Sequence, residues 1–360
     1  MTTFLQLHLL TAYPAANLNR DDTGSPKTMM FGGANRLRVS SQSLKRAIRT
    51  SDLFARANKD SLGTRSQSFA RSLIAALLKR GIEEKTAVER VRSVVEVDKL
   101  GKLKKDSTDT EQLVHLGPDE IDRLNALTES LAKGETPDAK SALVLLETPK
   151  AVDIAMFGRM LADNPAYNVE AAVQVAHAFT THRVTVEDDY YTAVDDLKNA
   201  DRSEDRGAGF IGIQEFGAGL FYLYICIDTD LLVSNLSNDR DIAKQALAAF
   251  IEAAAKVSPK GKQNSYASRA RASYILAEAG PEAPRTLAAA FQRPVVAHDA
   301  DGDVTAISIA RLETLRDQFA YAYGDAPARH AVMNITKGKD GGSLAGIIAL
   351  AKEAIDGNAA

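Results

Sequence analysis

The stretch Arg36-Leu37-Arg38-Val39-Ser40-Ser41-Gln42-Ser43-Leu44-Lys45-Arg46-Ala47-Ile48-Arg49 changes period midway. Leu37 and Val39 alternate with cations and close a short strand. Ser40-Ser41 offers an N-cap for a helix beginning there. At about 100° per residue, Leu44, Ala47 and Ile48 share one helical face. Gln42, Lys45 and Arg49 fall opposite, with Arg46 beside them. One face can pack on a core while the other presents an amide and three cations. The helix start carries unpaired N–H groups next to two serine hydroxyls, which suits a phosphate. Taken alone, the same pattern also describes an ordinary amphipathic surface helix.

The charge around this stretch is not that of the whole chain. Residues 20–49 carry seven basic side chains (Arg20, Lys27, Arg36, Arg38, Lys45, Arg46 and Arg49) against Asp21 and Asp22. The segment is +5 within a chain whose net charge is -3, which leaves about -8 for the rest. A cationic patch on an acidic molecule is a local binding surface or a solvated face. The overall balance argues against a protein coated with nucleic acid. The chain has 360 residues, 45% of them apolar and 25% charged, enough for one large core or two modest ones. No run approaches 18 apolar residues, so no membrane span is expected. Met1-Thr2-Thr3-Phe4 lacks the charged and apolar regions of a secretory signal. The lone Cys226 excludes an internal disulfide and a multi-cysteine zinc site. A cytoplasmic protein is expected.

Upstream, Leu5, Leu7 and Leu9 alternate against Phe4, Gln6 and His8, predicting a strand over 4–10. A long loop comes next through Pro14, Asn19, Gly24 and Pro26, and Phe31-Gly32-Gly33 signals a turn. Downstream, residues 59–150 are largely helical by pattern. Phe69, Leu73, Ala76 and Leu77 form one stripe, and Ile121, Leu124, Leu127 and Leu131 another. Lys99–Lys105 and the run from Lys133 to Pro137 break the helices. Ala171, Ala172, Val175, Ala176 and Phe179 are in helical phase, predicting a helix over 169–179. Residues 187–206 hold eight acids against three bases and read as an exposed excursion. Gly219–Asp228 predicts a strand with Cys226 in the core, and residues 240–257 an alanine-rich helix. Lys260, Lys262, Arg269 and Arg271 lie in a basic loop. The C-terminal third mixes helix and loop.

No HExxH, Walker A, GxGxxG after a strand, or GxSxG is present. His177 and His182 are five apart, so His182 is expected to pack or to touch a ligand. Asp21-Asp22 and Asp188-Asp189 could in principle hold Mg²⁺. Adjacent strand residues point to opposite faces, however, which is poor ligand geometry.

Three stretches together resemble a known family. The first is Leu18-Asn19-Arg20-Asp21-Asp22, Phe31-Gly32-Gly33 and Arg36 through Ala47. The second is Asp153-Ile154-Ala155, Gly158-Arg159-Met160, Val175-Ala176-His177-Ala178 and Thr180-Thr181-His182. The third is Thr192 through Leu197, then Gln214-Glu215-Phe216. In this order over residues 4–224 the chain resembles the CasC family, the repeated backbone subunit of the type I-E CRISPR surveillance complex, Cascade. The resemblance implies an α+β fold: a modified RRM-like, ferredoxin-like palm sheet with a helical fingers insertion and a protruding thumb. The palm would comprise 1–58, with its guide-binding segment 18–49, and 217–360. The fingers would span 59–181, and the thumb with its base 182–216.

The resemblance implies a non-catalytic scaffold without cofactor or metal. Copies would stack head-to-tail in a filament along crRNA and flip out a nucleotide at intervals. The intervening spacer segments would pair with target DNA. Other Cascade subunits and a separate effector nuclease would be partners, and no membrane. Carried over by position, Arg20, Lys27, Ser40, Ser41, Gln42, Lys45, Arg46 and Arg49 would surround the guide backbone. Arg159 and Met160 would sit at the displaced nucleotide, and Tyr191 and Thr192 at the thumb tip. Lys102, Lys104, Lys105, Lys133 and Lys140 are candidates to face target DNA. The acids Glu187, Asp188 and Asp189 are expected to face a neighbouring copy. Two alternatives are a metal-dependent ribonuclease using Asp21 or Asp22, and a monomeric single-strand RNA binder. The RNP1 pattern of common RRMs is absent.

Overall fold

The computed structural model describes residues 2–95, 100, 102–104, 107–135, 144–162, 164–194, 208–297, 303–324 and 329–357. The chain opens with β1 (Phe4–Ala16), the hairpin β2 (Thr28–Phe31) and β3 (Ala34–Val39), then α1 (Ser41–Arg49) and α2 (Asp52–Ala57). A helical block comes next: β4 (Thr64–Ser66), α3 (Phe69–Lys79), α4 (Glu84–Val95), β5 (Val114–Leu116) and α5 (Pro118–Lys133). After α6 (Val152–Phe157) come β6 (Val173–Val175), β7 (Ala178–Thr180), β8 (Glu187–Val194) and β9 (Ala208–Asp228). The rest is α7 (Thr229–Asn235), α8 (Arg240–Lys256), α9 (Gln263–Tyr266), β10 (Tyr274–Gly280), α10 (Val304–Tyr323), β11 (Arg329–Asn334) and α11 (Leu344–Asp356).

The large sheet runs β11-β10-β1-β9-β7-β3-β2, with β6 and β8 pairing further stretches of β9. Its described pairings are all antiparallel. The long β9 has two uses. Residues Gly217–Asp228 pair with β1, while Ala208–Phe216 pair with β8 as a two-stranded ribbon.

Alternation explains how one strand serves two cores. Leu5, Leu7 and Leu9 pack with Phe221, Leu223, Ile225 and Ile227 against helices including α1, α2, α8 and α11. On the other face Leu10, Leu220, Tyr222, Tyr274 and Leu276 pack against Phe291, Val295 and α10. Cys226 is buried, as its place in the strand predicts. A separate core joins α3, α4 and α5 through Leu73, Leu77, Val91, Leu124, Leu127 and Leu131. Among the described residues, no helix is long and apolar enough to cross a membrane.

Several expectations change. Residues 169–179 are not a helix. They supply β6 and β7, because Val173 pairs with Ile227 and Phe179 with Tyr222 on β9. Short apolar runs fit both periods, and the neighbouring strand decides. The acidic excursion is strand over 187–194; 195–207 lie outside the described residues. The C-terminal third contributes two sheet strands, β10 and β11.

Gln6 and His8, on the strand face opposite Leu5, Leu7 and Leu9, are buried too. Tyr222 Oη and His8 Nδ1 are 2.9 Å apart. His8 Nε2 lies 3.3 Å from Glu278 Oε2, poorly aligned for a hydrogen bond. Arg285 donates to both Glu278 oxygens at 3.1 Å. Burial opposes ionisation of Glu278, but His8 and Arg285 outweigh it and hold the carboxyl at about 2. Burial also pushes His8 below its ordinary value. A depressed carboxyl stabilises the fold fully above its unfolded value and loses that contribution as pH falls through its folded value. At neutral pH, where the lowered His8 is uncharged, Arg285 carries that contribution. His8, harder to protonate when folded, adds loss below pH ~6.5. Thermal midpoints measured from pH 7 to 3 should therefore fall continuously. In Glu278→Gln the fall below pH ~4.5 should flatten.

Candidate nucleic-acid interface

Helix α1 forms as its sequence dictates. Ser40 is extended, and its hydroxyl accepts the Ser43 N–H at 3.3 Å. Leu44, Ala47 and Ile48 are buried. Gln42 and Arg46 are exposed, and Lys45 and Arg49 half-buried. Partial burial pulls the Lys45 ammonium below its ordinary range.

The helix start is less open to an anion than its sequence suggests. Ser41 N–H is directed at His177 Nδ1 at 3.2 Å, and Arg38 Nη1 lies 3.2 Å from the same nitrogen. Burial, Arg38 and Lys27 lower the His177 pKa, which suits the acceptor role. Ser40 N–H donates to Asn19 Oδ1. Ser40 is thus a buried cap, and Lys27 stands near His177 at this end of the helix. Ser41 keeps its hydroxyl near the surface, 3.4 Å from Gln42 Oε1.

Beside α1 runs an open groove of about 600 Å³, lined by Gln42, Lys45, Arg46, Arg49, Arg65 and Met160 among others. Arg49 Nη1 reaches Asp153 Oδ2 at 3.3 Å. That carboxylate also takes His115 Nε2 at 3.0 Å and Gly63 N–H at 2.8 Å. Burial opposes its charge, yet His115, Gly63 and Arg49 leave the Asp153 pKa lowered. The guanidinium of Arg49 is held toward the groove by this anchor. Arg65, from β4, carries no signal in the sequence that would place it here.

Arg159 and Met160 separate. Gly158 has φ +79, and a Cβ there would stand 3.0 Å from Val169 O, so glycine is needed for the turn. Arg159 then pairs in extended form with Val169, which sends consecutive side chains to opposite sides. Met160 is 82% exposed. The Arg159 side chain is 1% exposed; it donates to both Glu120 oxygens at 2.8 Å and to Leu146 O and Tyr167 O. The Arg159 guanidinium is therefore inside, although the residue itself borders the groove. Arg36, counted in the cationic segment, is buried too and donates to Phe31 O, Thr180 O and Phe291 O.

On the ribbon, Tyr191 lies opposite Gly212, with its ring centroid 6.1 Å from that of Phe210, whereas Thr192 lies opposite Ile211 on the other face. Alternation likewise splits the acids: Glu187 and Asp189 share the Tyr191 face, and Asp188 takes the Tyr190 face. Tyr190, Tyr191, Phe210, Ile211 and Ile213 are all exposed. Asp21 Oδ1 accepts from Thr23 N–H, Thr23 Oγ1–H and Ser25 N–H, so it organises the 21–25 turn. His182 Nε2 accepts from Leu220 N–H. Lys102 and Lys133 are exposed, and Lys104 Nζ is 3.3 Å from Gln67 Oε1. Lys105 and Lys140 lie outside the described residues.

The sequence model of the CT1975-like protein family matches residues 5–352. The chain belongs to that family. It is similar to a solved chain titled "CRISPR RNA-guided surveillance complex, pre-nicking", at 29% identity and a TM-score of 0.82, covering 98% of this chain and 100% of that one. A second, titled "CRISPR RNA-guided surveillance complex", is 27% identical with a TM-score of 0.73, covering 96% of this chain and 98% of that one. No curated protein matches. This chain thus matches both solved chains over nearly its whole length.

Proposed function

We propose that this CT1975-like protein is a non-catalytic, crRNA-binding backbone subunit of a type I-E CRISPR Cascade complex. The observation that carries the reading is the face of α1. Gln42, Lys45, Arg46 and Arg49 stand along a groove with the exposed Met160, on a chain that aligns end to end with subunits of RNA-guided surveillance complexes. A guide must be held whatever its spacer, so contacts go to phosphates and sugars, and reading is left to base pairing. Lys45, Arg46, Arg49, Lys27 and Arg20 supply charge. The unbranched Met160 wedges against a displaced nucleotide without base preference. We read the sheet as a modified RRM-like palm, the block around α3, α4 and α5 as fingers, and the β8–β9 ribbon as the thumb. Tyr191 and Thr192 would kink the guide at intervals, leaving segments free to pair with target DNA. Head-to-tail contact between copies does not close on itself and builds a filament.

The test is co-expression with a repeat-spacer transcript and neighbouring subunits, then a denaturing gel of the purified complex. A discrete spacer-containing RNA held by several copies is expected. Absence of RNA, or RNA held by one copy, would refute the scaffold. Charge reversal at Glu187, Asp188 and Asp189 should leave single-copy RNA binding intact and reduce the number of copies per RNA by mass photometry, because these acids lie nearer the base of the ribbon than Tyr191 and Thr192 and would meet a neighbouring copy rather than phosphate. Loss of single-copy binding would contradict that placement.

A further inference from the structure

A second groove, of about 510 Å³, lies on the other flank of α1. Arg20, Asp21, Ser43, Arg46, Thr50 and Lys260 line it, so Arg46 borders both grooves. Three cations converge there from three separate parts of the chain. The single carboxylate is Asp21, whose Oδ1 accepts three hydrogen bonds from its own turn. Thr50 donates its hydroxyl to Arg46 O. Ser43 also lines the groove, and its N–H bonds the Ser40 cap.

The Lys260 loop is built into this position. A Cβ on Gly261 would stand 2.2 Å from Leu18 O and 2.8 Å from Asn17 O, so only glycine lets the loop approach that backbone. The next residue, Lys262, holds φ +50, a left-handed conformation costing a non-glycine residue about 1 kcal/mol. Gln263 Nε2 closes the turn by donating to Pro259 O at 2.8 Å. Lys260 itself is exposed, and no acid pairs with it among the described residues. Close packing and a left-handed lysine thus hold a cation beside two arginines, an arrangement that repels itself until an anion enters.

We propose that this second groove takes a backbone phosphate of the same RNA strand, with Lys260 and Arg20 as its contacts. A helix is about 10 Å across, so a strand leaving the first groove crosses α1 at Arg46 and enters the second within a few nucleotides. The inference rests on the reading under Proposed function.

The experiment measures RNA affinity of the full chain for a spacer-containing transcript across a salt series. The set is wild type, Lys260→Glu, Lys260→Ala, Lys260→Arg, and Lys45→Glu as control. Lys260→Glu should weaken binding about tenfold. Lys260→Ala should lower the salt slope by about 0.7, the loss of one single-strand phosphate contact. Lys260→Arg should bind as wild type. If Lys45→Glu is impaired while Lys260→Glu and Lys260→Ala keep wild-type affinity and slope, this inference fails and the scaffold reading stands. If Lys45→Glu and all Lys260 variants are unchanged, the scaffold reading fails with it. If Lys260→Glu preserves binding by one copy but blocks multi-copy assembly, the groove takes an acidic segment of a neighbouring copy, and the phosphate assignment is overturned.

Discussion

Arg159→Met should destabilise the helical block by about 3–5 kcal/mol, the usual cost of removing one partner from a buried ion pair. The loss comes from what Arg159 leaves behind. Glu120 is fully buried and, among the described residues, would be left with the Gly117 and Leu146 N–H groups as its partners. Leu146 O and Tyr167 O would each lose a guanidinium donor. Methionine restores bulk but no donor. Hydrogen exchange is the measurement that separates local from global loss. Amides of β5 and α5 should lose protection, while those of β1 and β9, which pack in another core, should keep theirs. Glu120→Gln offers a milder second reading, since the amide retains an acceptor for Leu146 N–H. Wild-type stability in Arg159→Met combined with lost RNA binding would return this side chain to the interface.

Arg159 also marks where reading the sequence stops. Gly158-Arg159-Met160 looks like a cation and a thioether offered together, yet extended pairing with Val169 turns one inward and the other outward. Nothing local predicts that, because Val169 and Glu120 are distant in the chain. Helix α1 is legible because its information is local: a serine cap, a three-residue apolar stripe and cations opposite. Alternation in β1 places Leu5, Leu7 and Leu9 correctly. It does not say that Gln6 and His8 are covered, since the cover comes from the far end of the chain. Glu278 and Arg285, which make His8 tolerable there, lie some 270 residues away. Residues 169–179 defeat period counting because β9 decides between two periods that both fit. Charge counting overstates the surface patch by including Arg36, a buried cation satisfied by three carbonyls. It misses Arg65, and it finds Lys260 in a basic loop without joining that loop to α1, because both reach the grooves through tertiary packing.

The opposite kind of variant tests the surface of α1 itself. Lys45→Glu combined with Arg46→Glu should lower RNA affinity by about 10²–10³-fold while leaving thermal stability near wild type. Among the described residues no carboxylate pairs with either side chain, so their removal strands no internal partner. The affinity estimate takes about 1.5–3 kcal/mol for each charge-assisted hydrogen bond, less what solvent screening returns at an open groove. Reversal also adds repulsion from neighbouring phosphates, whose effect should fade as salt rises. The discriminating readout is uniformity. Three transcripts with unrelated spacers should lose affinity by the same factor, because phosphates carry no sequence. A variant that lost affinity for one spacer and kept it for another would mean that these cations touch base edges. Base contacts at α1 are incompatible with a scaffold that accepts any guide.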